Sequence, residues 1–368
     1  MEPPRCEPKG AAMASDFYQY DDRRDPKWGL PGDVRENWNN PTIATFFADI
    51  MTPGLSQDEI DMGRAMFEGA FESMLSGMTM PPELEAAGEW AEYWAPGCVE
   101  EPDAPELRLH VRLPKGEHEG KRPCIMYYFA AGMGGKPDYF DTEIAQYSAD
   151  LGAVVIAPQY RAHPEVKQPA QLNDLHAAYQ WAIDHADELN IDPDCIVLSG
   201  YSIGAMMALG LAFRLKKYGI TPRGLSIVAP PVDDMANGPS SRISFASENL
   251  GCEERVITWH SFFGAINVAR PAVSPEIIPN HCTVDDLRGF PPVFMHIMES
   301  DPNRDEDIEF CSKLLAAGVM TSMHLWPGTN HATFYSGPMY ELKAKFYAEV
   351  ENDIKTLIEN DCRRPWSA

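Results

Sequence analysis

The pentapeptide Gly200-Tyr201-Ser202-Ile203-Gly204 carries the strongest chemical signal in the chain. It follows the apolar run Cys195-Ile196-Val197-Leu198 and opens an Ala- and Met-rich helical pattern. In a strand–turn–helix setting, the two glycines allow backbone to approach where a β-carbon would clash. The serine is then lifted to the sheet edge, at the positive end of a helix. A serine hydroxyl is a weak nucleophile at neutral pH. It needs an imidazole to take its proton, and the imidazole needs a carboxylate to hold its tautomer. The competing reading is an ordinary strand-to-helix turn.

The histidines after Ser202 are His260, His281, His296, His324 and His331. His331 ends the loop Trp326-Pro327-Gly328-Thr329-Asn330-His331, just past the last predicted strand, and is the expected base. His296 and His324 lie inside strand-like runs, where an imidazole is more often structural. His260 and His281 fall in an irregular stretch. The expected acid is Asp301, directly after the run Val293–Met298, since carboxyl ends of strands are where open α/β sheets place catalytic groups. Glu299, two residues nearer the strand, is its rival. Asp305 and Asp307 read as first-turn helix residues that favour the dipole.

Phe129-Ala130-Ala131-Gly132-Met133-Gly134-Gly135 also follows a strand-like run. Small residues there let backbone N–H groups turn toward an oxyanion; a plain glycine-rich loop is the alternative. It is not a phosphate loop, because no Gly-Lys-Ser/Thr follows. Arg161 reads structurally, as the partner of Asp174 in an ion pair.

Short apolar runs must position these groups. They are Leu107–Leu113, Cys124–Phe129, Val154–Pro158, Cys195–Ser199, Leu225–Val228, Val293–Met298 and His324–Trp326. Helical patterns near Pro169–Ala186, Ser202–Leu215, Asp305–Ala317 and Met339–Asn360 alternate with them. Such alternation predicts an α/β fold, a mostly parallel central sheet with helices on both faces. Five segments follow: a polar lead at 1–40, N-terminal cap helices at 41–95, a first core part at 96–230, an insertion at 231–288 and a second core part at 289–368. The lead-in helices are roughly Ile43–Met51 and one opening at Ser56, with the apolar stripe Met66, Phe67, Ala70, Phe71, Met74. The insertion holds Trp259, Phe262 and Phe263, too much apolar surface for a mere loop.

At roughly 100–200 residues per domain, 368 residues make one large domain or two small ones. The net charge of −25 disfavours nucleic acid and anionic lipid surfaces as partners. No apolar run approaches the ~18 residues that span a bilayer, and the N-terminus lacks the basic and apolar stretches of a signal peptide. The eight cysteines are scattered, with no Cys-x-x-Cys pair, and read as reduced, mostly buried thiols. The expectation is a cytoplasmic protein with no metal or cofactor; its oligomeric state is not legible.

Several further segments resemble a known family. Val155-Ile156-Ala157-Pro158-Gln159-Tyr160-Arg161-Ala162-His163-Pro164-Glu165 is similar to an Asp-Tyr-Arg-Leu-Ala-Pro-Glu segment, with Gln159 in place of Asp and Ala162-His163 in place of Leu-Ala. Asp174, Ala177-Ala178 and Trp181 match the helix that follows it. Ser274-Pro275 and Phe290-Pro291-Pro292 match the approach to the acid strand. Asp301-Pro302, Arg304-Asp305, Ala316-Ala317-Gly318-Val319, Pro327-Gly328 and His331 complete the pattern. Roughly residues 100–340 thus resemble the hormone-sensitive-lipase-like group of α/β-hydrolases, which includes many microbial carboxylesterases.

The resemblance implies an α/β-hydrolase core, a helical cap and cofactor-free ester hydrolysis. It places Ser202, Asp301 and His331 on the family's triad, with the backbone N–H groups of Ala131, Gly132 and Ile203 as oxyanion donors. The family's His-Gly-Gly-Gly segment is here Ala130-Ala131-Gly132-Met133. Its Gly-Asp-Ser-Ala-Gly-Gly elbow carries Tyr201, Ile203 and Ala205, and Ala332-Thr333 follows His331 in place of glycine. These departures bear on substrate scope, with Met133, Tyr201 and Phe263 as candidate pocket residues. The expected function is a serine carboxylesterase for small to medium, mainly apolar esters. An amidase, peptidase or lactonase on the same triad and a non-catalytic ligand-binding protein are its rivals.

Overall fold

A computed structural model describes residues 56–58, 61, 62, 64, 65, 68, 69, 72, 79–130, 135–162, 165–233, 240, 274–299, 301, 303–329, 331, 333, 334 and 341–362. Its strands are β1 (Gly88–Ala95), β2 (Leu107–Pro114), β3 (Arg122–Tyr128), β4 (Val154–Pro158), β5 (Ile191–Tyr201), β6 (Gly224–Val228), β7 (Val293–Met298) and β8 (Thr321–Trp326). Its labelled helices are α1 (Pro82–Ala86), α2 (Asp141–Leu151), α3 (Ala170–Asp184), α4 (Ile203–Lys217), α5 (Arg304–Ala316) and α6 (Glu341–Glu359).

The strands form one sheet in the order β1-β2-β4-β3-β5-β6-β7-β8. Only β2 runs antiparallel to its neighbours; the rest pair in parallel. A strand covered on both faces needs apolar residues on both, and β3, β4, β6 and β7 are buried along their whole length. Successive residues of a strand point to opposite faces. On β7, Met295 touches Cys311 of α5 and His296 touches Asp353 of α6, so α5 and α6 cover opposite faces. The predicted mostly parallel sheet with helices on both faces is the observed architecture. No helix among the described residues is long and apolar enough to cross a membrane.

Three features differ from expectation. Gly88–Ala95 falls within the segment expected as cap helices, yet it pairs with β2 from end to end. As an outer strand it keeps polar residues, so its period-two signal is weak. Tertiary contacts fix it: Trp90 stacks on His110 at 4.4 Å and lies under the Arg112 guanidinium at 4.7 Å. Helix α2 is an addition; it buries Ile144, Tyr147 and Ser148 at helical spacing and stops at Gly152, with φ 60°.

The third difference lies at the end of the insertion expected over 231–288. Ile278, Cys282 and Leu287 are buried in the main core. A β-carbon on Gly210 of α4 would sit 2.2 Å from the Glu276 carbonyl oxygen. Residues from 274 onward therefore pack as core. The segment Ile43–Met51, the stripe Met66, Phe67, Ala70, Phe71 and Met74, and Trp259, Phe262 and Phe263 lie outside the described residues.

Candidate active site

Ser202 sits between the end of β5 and the start of α4, at φ 54° and ψ −123°. Its N–H donates to the Val228 carbonyl at the end of β6, 2.8 Å away. The flanking glycines are required by close approach of β3. A β-carbon on Gly204 would lie 2.0 Å from the Tyr128 carbonyl oxygen, and one on Gly200 2.8 Å from the same atom. Backbone oxygens cannot move aside as a flexible side chain can, so only glycine fits both positions.

His331 bridges the serine and the acid. Its Nε2 is 2.8 Å from Ser202 Oγ, and its Nδ1 is 2.6 Å from Asp301 Oδ2. An ionised Asp301 only accepts, so Nδ1 carries the proton and Nε2 faces the hydroxyl as an acceptor. Asp301 is fully buried, and its Oδ1 accepts the Asn303 N–H at 2.9 Å. A buried carboxylate held at both oxygens cannot swing away from the imidazole.

The loop that carries His331 is itself tied down. The Gly328 N–H donates to Glu299 Oε2 at 2.7 Å, and Thr329 Oγ1 donates to the Trp326 carbonyl at 2.8 Å. Glu299, the rival acid, thus serves the loop. Tyr201, expected to line the pocket, donates its hydroxyl to the carbonyl of His331, its ring standing edge-on to the imidazole at 5.9 Å. No local pattern signals this contact, because its partner lies 130 residues downstream.

Ile203 opens α4, where the first N–H groups of a helix have no intrahelical acceptor and face the positive dipole end. Phe129 leads into the small-residue loop and is fixed by Tyr160, which stacks on its ring at 4.5 Å and donates to its carbonyl at 2.7 Å. Ala131, Gly132, Met133 and Phe263 lie outside the described residues.

The other histidines have different employment. His296 is buried; its Nδ1 accepts from Trp326 Nε1 and its Nε2 meets Asp353, each at 3.0 Å. His324 stacks on His296 at 4.7 Å. His281 closes the short turn Pro279–His281, and His260 lies outside the described residues. Asp305 and Asp307 occupy the first turn of α5. Arg161 makes the expected pair with Asp174, Nε to Oδ1 at 2.9 Å, and adds a two-pronged contact to Glu101 at 2.9 and 2.8 Å.

Residues 126–335 match the alpha/beta hydrolase fold family. The chain belongs to that family. The expected likeness to the hormone-sensitive-lipase-like, microbial-carboxylesterase group holds among its relatives. Esterase LipI of Mycobacterium tuberculosis is 24% identical over 234 residues, covering 63% of this chain and 66% of that protein, just short of two thirds. Ethyl acetate hydrolase of Pseudomonas putida is 27% identical over 238 residues, covering 64% and 73%. Among solved structures, a bacterial heroin esterase superposes with a TM-score of 0.73 at 27% identity, covering 87% of this chain and 98% of its own.

Proposed function

We propose that this alpha/beta hydrolase is a serine carboxylesterase acting on small to medium, mainly apolar carboxylic esters. The observation that carries the reading is the continuous hydrogen-bonded line Ser202 Oγ, His331, Asp301 at 2.8 and 2.6 Å. Ser202 attacks the ester carbonyl while His331 Nε2 takes its proton. Asp301 orients the imidazole and stabilises the imidazolium. The alcohol leaves with that proton, and water, activated by His331, releases the acid from the acyl-enzyme. Backbone N–H groups of Ile203, Ala131 and Gly132 receive the developing oxyanion. The names of the relatives, one an ethyl acetate hydrolase and one a heroin esterase, support ester substrates of modest size.

The test combines a fluorophosphonate probe with a panel of esters, amides and lactones. Wild type should label on Ser202 and prefer esters. Ser202→Ala should stay folded, fail to label and lose ~10⁴- to 10⁶-fold in kcat. Unimpaired turnover in Ser202→Ala sinks the nucleophile assignment. Preference for amides or lactones sinks the ester assignment, and an inert serine in a folded wild type points to a binding protein.

A further inference from the structure

A second cluster of reactive side chains lies apart from the serine. Cys98 and Glu100 belong to the connection that leaves β1, and His176 is on α3. The Cys98 sulfur, a Glu100 carboxylate oxygen and a His176 ring nitrogen all lie within 4.8 Å of one another. Cys98 and His176 are buried, at 2% and 1% exposure. Nδ1 of His176 is 2.7 Å from Glu100 Oε2, and the Tyr218 hydroxyl donates to Oε1 at 2.9 Å. The Tyr218 ring stands 5.4 Å from the imidazole, tilted by 42°.

We infer that Cys98, Glu100 and His176 bind one zinc-class divalent ion. Thiolate, imidazole and carboxylate are the donors that Zn²⁺ takes in tetrahedral sites. Bonds of ~2.0–2.3 Å at tetrahedral angles keep donor atoms ~3.3–3.8 Å apart. The present separations run from 2.7 Å in the His176–Glu100 pair to no more than 4.8 Å, which brackets that range. Small side-chain movements therefore suffice.

The protons balance. The Cys98 thiol gives its proton to solvent and ligates as thiolate. Nδ1 of His176 ligates once its proton has moved to Nε2, which keeps the ring neutral. One proton is released per ion, and two anionic ligands compensate the dication. The Arg214 guanidinium lies 3.7 Å from Glu100 but is engaged by Glu276 at 3.0 Å, so its charge does not stand alone against the ion. Nε2 of His176 makes no hydrogen bond among the described residues and is available for the shifted proton. The parallel group His296, His324 and Asp353 lacks this freedom. Both nitrogens of His296 are engaged, so a metal there must break the bond from Trp326.

None of the contacts of Cys98, Glu100 or His176 reaches Ser202, His331 or Asp301 among the described residues. The ion would act as a clasp, tying the connection after β1 to α3. This inference stands whether or not the ester reading does, because its test reads metal and not turnover.

The test uses the untagged full chain, stripped of metal by dialysis against a chelator and titrated with Co²⁺, then Zn²⁺. Wild type should bind one equivalent, develop a thiolate-to-cobalt charge-transfer absorption that Zn²⁺ displaces, and release one proton per ion by calorimetry in two buffers. Cys98→Ser should abolish the absorption. His176→Gln removes a ligand and should weaken binding by more than the ~10- to 100-fold lost with an outer-shell partner. X-ray absorption of the zinc-loaded wild type should give one sulfur among nitrogen and oxygen neighbours, a readout that depends on no variant folding. A wild type without the charge-transfer band, a zinc shell without sulfur, or a band retained in Cys98→Ser overturns the site.

Discussion

Ser202 holds a positive-φ backbone conformation that residues other than glycine rarely adopt. Such strain costs roughly 1–3 kcal/mol. Replacement by glycine releases it, at ~0.5–1 kcal/mol of extra unfolded-chain entropy. Strain is the larger effect, so Ser202→Gly should unfold about 1 kcal/mol later than Ser202→Ala in urea titrations. Equal stabilities would show that the elbow is relaxed. Tyr201 offers a separate test, since its hydroxyl reaches the carbonyl of the residue that bears the proposed base. A hydrogen bond of this kind contributes ~0.5–1.5 kcal/mol. Tyr201→Phe should therefore lower kcat about 2- to 10-fold with KM nearly constant, because it loosens His331 without touching substrate. A change confined to KM would assign the ring to the pocket instead.

Helices α2 and α6 meet through the side chains of Asp150 and Glu351. Burial, and then the neighbouring Asp150, push the Glu351 carboxyl up to about 7. The unfolded chain releases that proton near ~4.3. Between those values the folded protein holds more protons than the unfolded one, so its stability falls as pH rises through the window. The stabilising share is fully present below the unfolded value and gone above about 7. Partial exposure screens the effect, leaving on the order of 1–2 kcal/mol. Glu351→Gln should flatten the stability profile between acid and neutral pH and raise the melting temperature at pH 8. Identical profiles for variant and wild type would separate this pair from the helix contact.

Arg161 ties distant parts of the molecule into one unit. It joins the connection after β1 through Glu101, the segment after β4 through its own backbone, and α3 through Asp174. Asn173 extends the network to Glu101 and to Arg214 on α4. Asp174 is almost wholly buried, and burial pushes its carboxyl up against the pull of the guanidinium. Removing the cation strands that carboxylate. Arg161→Met should destabilise the fold by about 3–5 kcal/mol, and Arg161→Met with Asp174→Leu by clearly less, because breaking a buried pair costs more than replacing it. Denaturant midpoints measure both. Additive losses in the double variant would show that the two residues do not depend on each other.

Whatever depends on neighbouring residues was legible in the sequence alone. Continuous apolar runs mark β3 to β7, because strands covered on both faces have no polar side to show. Helical spacing marks α3 to α6, and the elbow announces itself through two glycines that flank a serine. Helix α2 is the exception: of its buried residues only Ile144, Ala145 and Tyr147 are apolar, too few to mark its face in the sequence. The serine, the acid and the histidine could be nominated by their places after strands. Their meeting could not be read, since His331 reaches across 129 residues to Ser202 and 30 to Asp301. Nor could the strand character of Gly88–Ala95, which β2 imposes through pairing, or the union of Cys98 and Glu100 with His176. Periodicity reports only which face of an element is buried. Which faces meet follows from strand order and register, and those are set by contacts between residues far apart in the chain.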